Sequence, residues 1–111
     1  MLSKKTIVKL NKQLDEKGKI INESALDFAI SAQKRTKDWV TQLSYLVRAI
    51  LIDHVFEDGN KRTTLGLIIG TLDELKFGYD AKRLEQNIIR ILKENITDIK
   101  KIRRLIKDVI R

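Results

Sequence analysis

Apolar residues recur along this chain at helical spacing, in six segments, and nowhere in sustained alternation. Ser3 caps a first helix running to about Glu16, with Ile7, Leu10 and Leu14 on one side. Gly18 ends it, and Asn22 caps a second helix whose Leu26, Ala29 and Ile30 face inward. Residues 33–39 are polar and aperiodic and read as a connection. A third helix carries Leu43, Leu46, Val47, Ile50 and Leu51 as an uninterrupted inward stripe. A loop over residues 55–60 leads to a fourth helix, with Leu65, Ile68, Ile69, Leu72 and Leu75 on its buried face. Gly66 and Gly70 lie four apart on that helix, a spacing that permits a close helix crossing. Gly78 follows as a stop. Asp80 caps a fifth helix with Leu84, Ile88, Ile91 and Leu92 inside. Thr97 caps a sixth with Ile99, Ile102, Leu105, Ile106 and Val109 inside. The expected fold class is all-α: one compact domain over residues 1–111, a bundle of about six helices.

Composition agrees and narrows the chemistry. The 111 residues include no Pro and five Gly, so little forces the backbone to break. Cysteine is absent, which excludes disulfides, thiolate zinc sites and a thiol nucleophile. A single histidine, His54, excludes a metal held by several imidazoles. The longest apolar runs, over residues 49–52 and 65–69, are too short to cross a bilayer, and no apolar secretory core follows Met1. A soluble, cytoplasmic protein is expected. The formal net charge is +8, and residues 76–111 hold eleven basic against five acidic side chains.

The chemistry concentrates in His54-Val55-Phe56-Glu57-Asp58-Gly59-Asn60-Lys61-Arg62. His54 lies three residues after Leu51 and so continues the inward stripe of the third helix. Arg62 lies three before Leu65 and begins that of the fourth. Asp58 supplies a carboxylate, and Gly59 permits a left-handed backbone. The start of the fourth helix presents unpaired N–H groups and the positive end of its dipole, beside Lys61 and Arg62. Mg²⁺ takes one or two carboxylates together with phosphate oxygens, which suits Asp58. A neutral imidazole accepts a proton from an attacking hydroxyl. Taken singly, each residue has an ordinary structural use: a helix-end histidine, an Asp-Gly-Asn turn, a solvated Lys-Arg pair, a packed Phe56. Their fixed spacing within nine residues is what points to nucleotide-dependent group transfer.

This segment resembles the signature of the Fic/Doc (Fido) superfamily, His-x-Phe-x-Asp/Asn-Gly/Ala-Asn-Gly/Lys-Arg, at every signature position. A weaker likeness extends to Gly18-Lys19-Ile20-Ile21-Asn22 ahead of the second helix. The resemblance implies an all-helical core and transfer from ATP, with Mg²⁺, to a hydroxyl of a target protein. By it, His54 is the general base and Asp58 the metal ligand. Gly59, Asn60 and Lys61 form the anion nest, Arg62 pairs with a phosphate, and Phe56 is the buried anchor. Residues 33–40 fall where the family has an extended flap that docks the target.

Two details separate the reactions of this superfamily. Members that transfer AMP usually carry Gly in place of Lys61 and a second Arg at the position of Leu65. The Doc branch has Lys-Arg, as Lys61-Arg62, and transfers the γ-phosphate, with translation elongation factor as its known kind of target. Asp58-Gly59 departs from Doc, which commonly shows Asn-Ala, and keeps AMP transfer as the alternative. Many members also carry an inhibitory Ser/Thr-x-x-x-Glu-Gly/Asn motif. Glu94-Asn95 offers the final pair, but Arg90 stands where Ser or Thr belongs, so either a separate antitoxin chain supplies inhibition or none is needed.

A competing reading is a non-catalytic basic module on the last two helices, using residues such as Lys82, Arg90, Lys100 and Arg104 against phosphates. Those cations alternate with the inward Leu/Ile stripe, as on any amphipathic surface helix, and no aromatic follows Tyr79 to stack bases. Nucleic acid is therefore not an expected partner. A fold retained purely for protein interaction is the third reading.

Overall fold

A computed structural model describes residues 2–14 and 17–111. Ser3 accepts from the Thr6 N–H and opens α1 (Lys4–Gln13). The end expected near Glu16 lies outside the described residues. Asn22 likewise caps α2 (Glu23–Gln33) through the Ala25 N–H. α3 (Trp39–Val47) runs on into a π-helical turn over Arg48–Ile52. α4 (Asn60–Glu74) starts behind Gly59, α5 (Ala81–Lys93) behind Asp80, and α6 (Ile99–Lys107) behind Asp98. The fold is an all-α bundle; the described residues contain two isolated β-bridges, Ile20–Phe56 and Tyr79–Ile110, and no sheet.

α3 packs against both α2 and α6, while α1 packs across α4 and α4 meets the π turn. The core holds Leu26, Leu46, Ile50, Phe56, Ile68, Leu72, Ile88 and Ile102, all essentially inaccessible to solvent. The radius of gyration, 12.7 Å, is that of a compact chain of this length, about 13 Å. No helix among the described residues is long and apolar enough to cross a membrane.

Several local expectations shift. The buried face of α4 is Thr63, Thr64, Leu67, Ile68 and Leu72, leaving Leu65 and Ile69 half-buried and Leu75 exposed. Over residues 65–72 the helix is apolar nearly all round, so periodicity could not set its phase. Gly66 does lie at the α1 crossing, where an added Cβ would stand 3.4 Å from Leu10 Cδ1, whereas Gly70 has no neighbour within 4 Å. Leu92 is exposed at the end of α5. The α6 cap is Asp98, not Thr97, because its carboxylate reaches the Lys100 N–H.

α4 stops before Gly78. Lys76 takes the left-handed conformation (φ 62°), and the Phe77 N–H returns to the Leu72 carbonyl. Asn95 (φ 49°) closes α5 in the same way, with the Ile96 N–H on the Ile91 carbonyl, and Glu94 pairs with Arg90 at 2.9 Å. Trp39 stacks on Phe77, ring centroids 5.6 Å apart, which joins the start of α3 to the turn after α4.

Candidate active site

The loop that carries His54 to Arg62 begins where α3 loses its regular winding. In the π turn the Asp53 N–H reaches back five residues to the Arg48 carbonyl at 3.1 Å. Each turn there holds more than 3.6 residues, so whatever follows is rotated off the α-helical stripe. His54 accordingly does not continue that stripe: it lies outside the helix at φ 51° and is exposed.

Val55 and Phe56 turn inward immediately after it, each with no exposed surface. Val55 accepts through its carbonyl from the Ile21 N–H (2.8 Å) and the Asn22 N–H (3.2 Å), and the Glu57 N–H donates to the Lys19 carbonyl (3.0 Å). The short bridge therefore staples the loop to the entrance of α2. Asn22 strengthens it, capping α2 with its oxygen while its amide donates to the Asp53 carbonyl at 2.8 Å.

Asn60 clamps the next part. Its Oδ1 accepts from the Phe56 N–H at 3.0 Å and its Nδ2 donates to the Phe56 carbonyl at 2.8 Å. Its side chain is thus committed to holding the anchor, and its contribution to an anion nest is confined to its backbone N–H. Gly59, at φ 78° and ψ 20°, makes the left-handed bend between clamp and helix, and no side chain caps α4. The first N–H groups of α4 have no intrahelical partner, beside Lys61 and Arg62, both exposed.

A residue absent from the sequence reading, Asn11, completes the scaffold. It is buried on α1, its Nδ2 donating to the Asp58 carbonyl (3.1 Å) and to Thr63 Oγ1 (2.9 Å). Its Oδ1 accepts from the Gly18 N–H at 2.8 Å. One amide thus ties α1, the Gly18 turn, the loop and α4 together. The available signal was a polar residue four after Ile7, on the apolar stripe of an amphipathic helix.

Arg62 does not begin an inward stripe; its guanidinium reaches across to donate to the Leu14 carbonyl, at the end of α1, at 2.9 Å. Glu57 pairs loosely with Lys19 at 3.7 Å. The carboxylate of Asp58 is exposed on a backbone that Asn11 fixes. Thr64 Oγ1, buried on α4, has no hydrogen-bond partner among the described residues. No group of three or more His, Asp or Glu among the described residues is arranged to hold a metal by itself.

Residues 33–40 do not form an extended flap. Gln33 ends α2, buried, with its side chain exchanging hydrogen bonds with the backbone of Leu2 (2.9 and 3.1 Å), and Val40 is buried in the first turn of α3. Between them Thr36, Lys37 and Asp38 carry no regular structure.

The chain matches no protein-family model, no curated protein and no solved structure.

Proposed function

We propose that this chain is a Fic/Doc-type protein phosphotransferase, closest to the Doc branch, which moves the γ-phosphate of ATP to a hydroxyl side chain of a target protein. The observation that carries the reading is Gly59 at φ 78° heading the uncapped 15-residue α4, five residues after an exposed histidine. That arrangement joins an anion-accepting helix start, rigidly mounted, to a base in water.

His54 accepts the proton of the target hydroxyl as its oxygen bonds to the γ-phosphorus and the bond to ADP breaks. The backbone N–H groups of α4, with Lys61, hold phosphate oxygens, and Arg62 joins them on leaving the Leu14 carbonyl. A lone carboxylate is too little to retain Mg²⁺ by itself, but it suits an ion that takes one carboxylate and several phosphate oxygens. Asp58 is the residue that would hold it, and the ion would neutralise phosphate charge. Phe56 and the Asn60 side chain fix the loop without touching the reaction.

Lys61 and the absence of an arginine at Leu65 favour phosphate transfer over AMP transfer. Asp58-Gly59 keeps the alternative, AMP transfer to the same hydroxyl, because that pair resembles the AMP-transferring members and departs from the Asn-Ala common in Doc. A translation factor is the expected kind of target, in the cytoplasm, with restraint supplied by an antitoxin chain. Incubating the protein and Mg²⁺ with a cell extract and either γ- or α-labelled ATP tests this. Label should enter a protein from the γ-position only. Transfer from the α-position alone would overturn the phosphotransfer assignment.

A further inference from the structure

A cleft of about 1090 Å³ runs between α3 and α6, lined by neither His54 nor any residue of its loop. One wall is Asp38, Thr41, Tyr45 and Arg48, spaced along one face of α3 and its π turn. The opposite wall is Lys100, Arg103, Arg104 and Lys107, at i, i+3, i+4 and i+7 on one face of α6. From this cleft we infer a docking site for an acidic peptide segment of a partner protein.

Its two carboxylates are already committed. Asp38 accepts from Thr41 and from Arg103 Nε (2.7 Å), and Asp98 caps the Lys100 N–H (3.1 Å). Lys100, Arg104 and Lys107 form no ion pair among the described residues, so this wall faces the cleft with uncompensated charge. Arg48 is held in place at the other wall. Its guanidinium lies 5.3 Å from the Tyr45 ring centroid and 6.0 Å from that of Phe28, and it donates to the Thr97 carbonyl. A cation fixed before binding loses less freedom when a ligand arrives.

The shape selects among anions. α6 has nine residues, so the cleft is about 14 Å long, the reach of about four extended residues. A duplex is read by a helix or ribbon that protrudes into its groove, and a cleft presents no such element. A single strand needs open aromatic faces, and Tyr45, the one aromatic in the lining, is covered by Arg48. A peptide chain rich in Asp or Glu enters such a cleft and meets charge along its length.

The test is fluorescence anisotropy with a labelled oligoglutamate peptide on the whole protein. Binding should weaken as salt rises. The double variant Lys100→Glu/Arg104→Glu should lose about tenfold or more, whereas Lys82→Glu/Lys93→Glu, an equal charge change on α5, should stay within about twofold. Both pairs are exposed, and thermal melts check that each variant is folded. Equal losses in the two variants, no binding at low salt, or tighter binding of an oligothymidylate through Lys100 and Arg104 would overturn the assignment.

Discussion

Asn11 and Thr63, 52 residues apart, meet in the interior through a 2.9 Å hydrogen bond from amide to hydroxyl. The same amide nitrogen supports the Asp58 carbonyl, so the register of the loop against α4 is set from α1. Asn11→Ala should cost about 1–3 kcal/mol, since it strands Thr63 Oγ1 and the Gly18 N–H. Urea unfolding measures this. In a double-mutant cycle with Thr63→Val the two losses should fall short of additivity. Strict additivity would show that the bond contributes nothing to stability.

Two glycines, one heading α4 and one inside it, should respond with opposite sign. Gly59→Ala places a Cβ in the left-handed region and should destabilise by about 1–2 kcal/mol. Gly70→Ala, in the interior of α4 with nothing within 4 Å, should stabilise by about 0.5–1 kcal/mol. Thermal melts of the two variants distinguish these effects, and a stabilised Gly59→Ala would refute the bend.

Asp38 gives a pH signature. The Thr41 hydroxyl, and then Arg103, hold its carboxyl down from 3.8 to about 2. Because the folded value is depressed, the stabilisation is full above about pH 4 and disappears as pH falls towards 2. Both partners are more than a third exposed, so the contribution should stay below about 1 kcal/mol. The melting temperature of Asp38→Asn should lie slightly below that of the parent at pH 6, and the gap should close between pH 4 and 2. A gap independent of pH would remove the charge from the explanation.

How much of this the sequence discloses follows the range of the interactions. Ser3, Asn22 and Asp80 are readable as caps because each bonds within three residues. Phe56 as a packed anchor and Gly59 as a left-handed bend follow from local chemistry in the same way, whereas Val55 is seated by the distant Ile21 and Asn22 N–H groups. Asn11 is conspicuous on the α1 stripe, but its role is not readable, since its partners Asp58 and Thr63 lie 47 and 52 residues away. Nor is the exposure of His54, which depends on a π turn that no periodicity announces. The phase of α4 escapes for the converse reason: too many of its faces are apolar, and two buried threonines decide the matter.

His54→Ala should lower phosphate transfer by about 10²–10⁴-fold, the usual worth of a general base, with little change in melting temperature because the side chain is exposed. A variant that transfers phosphate at the parental rate would exclude His54 as the base.

Lys61→Gly addresses the branch of chemistry. Lys61 is exposed in the first turn of α4, so its removal should spare the fold. In the proposed mechanism its ammonium stands beside the N–H groups that would hold phosphate, and with Leu65 it is one of two residues that separate this segment from the AMP-transferring pattern of the superfamily it resembles. Without it, phosphate transfer should fall by about 10²-fold. Gly59 followed by Asn60 and a second glycine would match the AMP-transferring pattern, leaving Leu65 as the remaining departure. Label from the α-position should therefore become detectable on the target at a low rate, and the Lys61→Gly/Leu65→Arg double variant should raise it further. Mass spectrometry of the modified target reads both outcomes, as added phosphate or added AMP. An unchanged rate and product in Lys61→Gly would mean that the lysine does not set the orientation of the nucleotide.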